Sequence, residues 1–224
     1  DGQIRIPSIV NAEPNEGDLL IVGEEELAEF PDNAREVPGI VLDLQSLPAM
    51  NDAEIEAILV SLSSHLSSSS LILLRDGADR VEGLFRLVVD LDLDGAIVSV
   101  ATPGGGRAAA ALPRIGLASR AMGLDTQGRI IGIELEKQPS AEDLIIVRAS
   151  GCSFVVGPID EGNEISDISE TIIPEIVGIM KEAGLSNFHN VGRRILRAKD
   201  METAAISGLR LIGFERPLPM WLGN

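Results

Sequence analysis

Short runs of aliphatic residues alternate with longer amphipathic segments along most of the chain. The runs are almost continuously apolar, which is typical of strands buried on both faces of a parallel sheet. The clearest helical segment is 52–66, where Ile55, Leu59 and Leu62 recur at helical spacing behind an Asn or Asp N-cap. Strands are predicted at residues 18–22, 39–44, 70–75, 95–100, 129–135, 152–157, 187–191 and 209–214. Helices are predicted at residues 52–66, 80–89, 107–121, 141–149, 170–183 and 199–207.

This alternation predicts the fold class. Strands that alternate with helices pair in parallel through right-handed crossovers. Eight such units form a (β/α)8 barrel, and a chain of 224 residues fits one domain of that kind. We therefore expect residues 1–224 to form a single TIM-barrel domain, with a doubly wound open parallel sheet as the alternative.

The charge of the chain narrows the range of partners. Lys and Arg number 18 against 35 Asp and Glu, a formal net charge of −17. A surface this acidic repels nucleic acids and anionic lipids, so neither is expected as a partner. No apolar run reaches the roughly 20 residues of a membrane helix, and no signal peptide is recognisable. We expect a cytoplasmic protein, and the start at Asp1 rather than Met suggests a trimmed fragment.

Cysteine and histidine are scarce. The single Cys152 excludes an internal disulfide and, by itself, a cysteine-ligated cluster. The two histidines, His65 and His189, lie far apart in the sequence, so no zinc or other metal site is predicted. Four residues at predicted strand ends are acid or base candidates, although a carboxylate at such a position is more often simply a surface group: Asp43, Glu134, His189 and Glu215.

Glycine and arginine concentrate near the end of the chain. The last two predicted strands each run into a glycine with arginine beside it, and the set is Gly192, Arg193, Arg194, Gly213 and Arg216. In an α/β barrel, the loops after the last two strands present backbone N–H groups to a phosphate. Arginines at a helix N-terminus oppose the helix dipole unless an anion binds there. The segment therefore predicts a small phosphate-bearing ligand and names no reaction.

Two further loops are candidates for the same face of the barrel. Gly104, Gly105 and Gly106 follow the fourth predicted strand, and a backbone without side chains approaches a ligand closely. This turn matches neither the ATP-binding loop nor the dinucleotide-binding pattern, so a plain flexible turn is an equal interpretation. The acidic, non-periodic segment 157–169 is predicted to be a loop, either a lid or a solvated connection.

Three segments resemble the FMN-binding barrel of the glutamate synthase family. Residues 38–62 (PGIVLDLQSLPAMNDAEIEAILVSL) are similar to its strand, ligand loop and following helix. Residues 71–106 (LILLRDGADRVEGLFRLVVDLDLDGAIVSVATPGGG) are similar to its lysine-bearing strand, helix and glycine-ended strand. Residues 172–219 (IIPEIVGIMKEAGLSNFHNVGRRILRAKDMETAAISGLRLIGFERPLP) resemble the portion that cups the flavin phosphate. The resemblance covers roughly residues 38–219.

The resemblance implies an FMN-binding oxidoreductase that acts on a small nitrogenous or carbonyl substrate. It implies that Gly192, Arg193 and Gly213 contact the flavin phosphate, with Gly104–Gly106 near the flavin. Arg75 stands where the family has a flavin-contacting lysine, and it is an approximate substitute. The cysteines of the family's iron–sulfur cluster are absent, so no such cluster is expected, nor is complete glutamate synthesis by this chain alone.

Two other interpretations stay open. The first is a barrel that binds a phosphorylated metabolite without flavin, with His189 or Glu215 as the acid or base. The second is a non-catalytic barrel that serves as a scaffold, a partner subunit or a homo-oligomer. The missing lysine and cysteines favour the second.

Overall fold

The computed structural model describes residues 8–10, 18–28, 30, 37–101, 108–158 and 165–217, with side chains from residue 170 onward in the last range. The chain divides into two compact units. The first comprises Asp1–Val98 and Met122–Ile130, and the second Ser99–Ala121 and Ile131–Asn224. The prediction that residues 1–224 form one domain stays a prediction.

Strands and helices alternate along the described part of the chain. The strands are β1 Ile9–Val10, β2 Leu19–Val22, β3 Gly39–Asp43, β4 Leu71–Gly77, β5 Gly95–Ser99, β6 Ile130–Glu134 and β7 Phe154–Val156. The helices are α1 Glu24–Ala28, α2 Asp52–Ser63, α3 Val81–Asp90, α4 Ala108–Met122, α5 Ala141–Ala149, α6 Ile165–Glu182 and α7 Met201–Ser207.

In the first unit the strands follow one another in chain order, and the registers among β1, β2, β3 and β4 are all parallel. Every residue of β3 and of β5 is buried, as the continuous apolar runs predicted. Helix α2 begins with a capping box between Asn51 and Glu54, and α3 buries Leu84 and Phe85 on its inner face. This unit therefore has its own aliphatic core.

In the second unit β6 and β7 pair in parallel, with Gly132 opposite Phe154. Helix α5 begins at a capping box between Ser140 and Asp143. It packs against α6 in a cluster whose buried members are Ala141, Ile145, Ala149, Ile176, Met180 and Val191. The repeated strand-then-helix order is the local pattern that the sequence predicted.

The last two predicted strands are wrong. Residues 187–191 form a 3-10 turn, Phe188–Asn190, because the Asn187 side chain accepts from the His189 N–H and so competes with a strand ladder. Residues 209–214 contribute only one bridge, between Ala198 and Leu211. The backbone then turns at Gly213 with φ +84°. The described residues thus hold seven strands rather than eight.

The other boundaries differ less. Strand β1 and helix α1 were missed, because two and five residues are too short for a periodic signal. Helix α6 begins at Ile165, inside the segment predicted as the acidic loop 157–169. Residues 159–164 of that loop, and the glycine turn Gly104–Gly106, lie outside the described residues.

Candidate ligand site at the ends of strands β3 and β4

Two charged side chains meet where β3 and β4 end. The parallel register places Asp43 directly opposite Arg75. Nη1 of Arg75 donates to Oδ1 of Asp43 at 2.7 Å and to Oε1 of Gln45 at 3.2 Å. The two charged side chains are only 14% and 12% exposed. The positive charge of Arg75 is therefore matched by a buried carboxylate within hydrogen-bond distance.

Asp76, the next residue of β4, is more deeply buried, with its side chain 4% exposed. Its Oδ1 accepts from the Gly77 N–H at 2.8 Å, and its Oδ2 lies 3.3 Å from Nε of Arg80. Burial raises the pKa of Asp76 above the ordinary aspartate value, and this effect outweighs the lowering by Gly77 and Arg80. Asp79 and Asp43 add to the upward shift. Asp76 consequently keeps its proton to a higher pH than a free aspartate.

An open cleft of about 510 Å³ lies against these residues. One wall is largely apolar and comes from the loop after β3 and from α2: Leu44, Leu47, Pro48, Ala49, Met50 and Ile55, beside Gln45. A second, charged wall comes from the end of β4 and the turn that follows it, with Asp76, Asp79 and Arg80. Ligands of parallel α/β proteins bind at the carboxyl ends of the strands, which is where this cleft opens.

The arginines predicted for a phosphate lie in a different setting. Residues Arg193–Ile195 form a 3-10 turn rather than the start of an α-helix. The guanidinium of Arg193 donates to the Ser207 carbonyl at the C-terminus of α7, where a cation is favourable without any anion. Arg197 donates to the carbonyl oxygens of Arg194 and Leu196, at 2.7 Å each. The premise that these arginines oppose a helix dipole is therefore wrong.

The remaining predicted site residues in the described range lie at or near the surface. Arg194, Arg216, His189 and Glu215 are exposed, and Gly213 lies in an exposed turn. Gly192 is extended, with φ −149°, and a Cβ added there would meet nothing within 4 Å. Neither its backbone angle nor its surroundings therefore requires glycine. Phosphate binding by these residues stays a prediction.

Some of the charged residues at this site were predicted from the sequence and others were not. Asp43 and Arg75 were both candidates, and the structure brings them into contact. Asp76 and Arg80 were missed, although a signal was available. In LILLRDGADR a second charge follows Arg75 directly at the end of a buried strand, and a glycine comes next.

Two further features concern only the described residues. Within them, no group of His, Cys, Asp and Glu has an arrangement that could hold a metal ion. None of their helices is both long enough and apolar enough to cross a bilayer.

No protein-family model matches this chain, and no curated protein matches its sequence. Among solved structures, DHODH from Eimeria tenella in complex with ferulenol is similar, with a TM-score of 0.55 at 14% identity. The match covers 75% of this chain and 57% of that protein. Thiamine phosphate pyrophosphorylase from Pyrococcus furiosus gives a TM-score of 0.40 at 17% identity, covering 63% of this chain and 59% of that protein.

This chain therefore spans a little over half the length of the solved proteins that it matches. The first likeness shows the fold alone. The chain is an α/β protein of the TIM-barrel type, which confirms the fold class expected from the sequence and sets aside the doubly wound alternative.

Proposed function

We propose that this chain is a TIM-barrel-type enzyme that binds a small molecule in the cleft beside β3 and β4 and uses Asp76 to transfer a proton. The observation that carries the proposal is the setting of Asp76: a nearly inaccessible carboxyl, with a raised pKa, on the wall of a cleft at the carboxyl end of a strand. Buried groups with perturbed pKa values are concentrated at functional sites. The proposed role places acid–base chemistry on Asp76 rather than on His189 or Glu215.

The neighbours of Asp76 suit this role. Nε of Arg80 and the Gly77 N–H both favour the carboxylate, whereas burial favours the neutral acid. Because burial dominates, the pKa of Asp76 moves upward toward the working pH, where a carboxyl group gives and accepts a proton more efficiently. Arg75 is held by Asp43 and Gln45, which suits a role in fixing the ends of the strands.

FMN binding is the second candidate function, and one observation favours it. In the glutamate synthase family that this chain resembles, a ligand loop follows one strand and a basic residue lies on the next strand. Here the loop after β3 and Arg75 of β4 lie at the same strand ends. The ion pair with Asp43 weakens the case, because a neutralised guanidinium gives little stabilisation to the negative charge of a reduced flavin.

The acid–base proposal is tested first at Asp76 itself. Carbon-detected NMR titration of the aspartate carboxyl groups, assigned with Asp76→Asn, should show that the pKa of Asp76 lies above the ordinary aspartate value of about 3.9. Asp90→Asn is the matched control, because Asp90 lies on α3 with its side chain 60% exposed. A normal pKa for Asp76 would sink the proposal.

A ligand screen provides the second test. Thermal-shift assays with 2-oxo acids, sugar phosphates and FMN should identify compounds that stabilise the wild-type protein and Asp90→Asn, and NMR of the incubated mixtures should detect turnover that Asp76→Asn lacks. Turnover that survives in Asp76→Asn would exclude Asp76 as the acid or base. Blue-light absorbance retained by the purified protein, or quenching of added FMN fluorescence, would instead support the flavin candidate.

A further inference from the structure

The charged wall of the cleft indicates what kind of ligand fits it, and this inference rests on the proposed function of the same site. Arg80 has its Nε directed at Oδ2 of Asp76, while 57% of its side chain is exposed. A guanidinium presents five N–H donors in a planar fork, and a carboxylate can accept two of them in parallel. The exposed side of Arg80 therefore suits an incoming carboxylate while Nε keeps its contact with Asp76.

The other wall has the opposite character. Leu47, Pro48, Ala49 and Met50 follow one another in the loop after β3, and Ile55 of α2 adjoins them. These side chains carry no charge, and a polar or doubly charged molecule would lose hydration against them without gaining a partner. The contrast between the walls favours a ligand with one charged end and one apolar end.

We propose that the cleft binds an amphipathic monocarboxylate, whose carboxylate pairs with Arg80 and whose apolar body lies along residues 47–50, and that binding shifts Asp76 toward its protonated form by uptake of a proton from solvent. The second part follows from geometry. Once bound, two carboxylates share one guanidinium, and their mutual repulsion raises the pKa of the one that is harder to solvate. The proton goes to Asp76 because its side chain is the less accessible of the two.

The other charged residues near Asp76 either raise its pKa further or are paired with an opposite charge. Asp79, from the 3-10 turn that precedes α3, and Asp43, from β3, both oppose a negative charge on Asp76. Arg75 is committed to Asp43 at 2.7 Å. Within the described residues, Arg80 is thus the one cation that contributes to the pKa shift of Asp76.

Calorimetric titration with acetate, butyrate and hexanoate, at constant ionic strength, tests the ligand class. Affinity should rise about fourfold for each buried methylene group. Hexanol and hexylammonium, which share the apolar body but lack the carboxylate, should bind at least about tenfold more weakly than hexanoate. Arg80→Gln should abolish the difference between hexanoate and hexanol, and Arg80→Lys should keep part of it.

The matched control is Arg86→Gln. Arg86 is also an arginine of this segment, its side chain is 59% exposed, and it pairs with Asp52 rather than with a cleft residue. Its substitution should leave hexanoate affinity unchanged. Equal loss in Arg80→Gln and Arg86→Gln would overturn the assignment of the carboxylate to Arg80. Tighter binding of inorganic phosphate than of hexanoate would overturn the ligand class.

Proton uptake is measured by repeating the hexanoate titration in two buffers of different ionisation enthalpy. The wild-type protein should take up a measurable fraction of a proton, at most one, and its affinity should rise as the pH falls, by at most about tenfold per pH unit. Asp76→Asn should bind hexanoate with no uptake. Uptake that persists in Asp76→Asn would refute the coupling.

The two proposals fail in distinguishable ways. A raised pKa of Asp76 in the free protein together with no hexanoate binding would overturn this inference and leave the proposed function intact. A normal pKa of Asp76 in the free protein would remove the proposed function, whatever the protein binds.

Discussion

The buried ion pair between Arg75 and Asp43 offers the sharpest test of how the candidate site is held. The variant Arg75→Met keeps the apolar stem of the side chain and removes the guanidinium. Oδ1 of Asp43 now lies 2.7 Å from Nη1 of Arg75. In the variant, Asp43 would keep a side chain that is only 12% exposed but would lose this cation. Removing one partner of a buried pair costs about 3–5 kcal/mol. The Gln45 N–H still donates to Oδ1 of Asp43, so we expect the lower end, about 3 kcal/mol.

The double variant Asp43→Asn/Arg75→Met separates the pair from its surroundings. It leaves no buried charge at this position, so its loss should be about 1–2 kcal/mol, which is smaller than the loss in Arg75→Met alone and far below the sum of the two single variants. Urea unfolding at neutral pH, followed by circular dichroism, measures each free energy of unfolding. The exposed pair of Arg86 and Asp52 is the control, since surface pairs contribute about 0–1 kcal/mol.

Two results together would contradict a buried, coupled ion pair: Arg75→Met within about 0.5 kcal/mol of the wild-type protein, and additive effects in the double variant. That outcome would mean that water reaches the pair in solution. It would also restore Arg75 as a candidate for ligand binding.

Three other predictions concern single positions. Gly95→Ala should destabilise the protein by at least about 3 kcal/mol in urea unfolding, because the new Cβ would collide with the backbone carbonyl of Ile130. Gly192→Ala is the control and should change the free energy of unfolding little, because a Cβ at this position meets open space. Equal effects of the two substitutions would contradict the geometry. Asp76→Asn should raise the melting temperature at neutral pH. Folding raises the pKa of Asp76, so ionisation of Asp76 destabilises the folded protein, fully above its pKa in the folded state. The stabilisation by Asp76→Asn should therefore vanish as the pH falls below the aspartate pKa of the unfolded chain, about 3.9. A stabilisation that is independent of pH would contradict this. Asn51→Ala removes the acceptor of the α2 capping box and should cost about 1 kcal/mol in thermal unfolding, whereas no loss would mean that solvent replaces the cap.

The sequence predicted most elements where local signals were strong. The aliphatic runs of β3 and β5 are buried at every residue, so their continuous apolar pattern was sufficient to predict both strands. Helix α5 was predicted with its observed ends, because Ser140 and Asp143 mark its start and Gly151 follows its end. The strand predictions near the end of the chain failed because their apolar residues, such as Ile212 and Phe214, are more than half exposed. Apolar character alone does not distinguish a buried strand from an exposed turn.

By itself, the sequence determined the class of fold, because strand and helix periodicities are local properties of the chain. It also supplied Asp43 and Arg75 as candidates, because each is a charged residue at the end of a predicted apolar strand. Tertiary structure alone decided which charges meet: register placed Asp43 against Arg75, and burial raised the pKa of Asp76. It also put Arg193 at a helix C-terminus, where the predicted need for an anion disappears. Coulomb interaction and desolvation depend on distances between residues far apart in sequence, and folding fixes those distances.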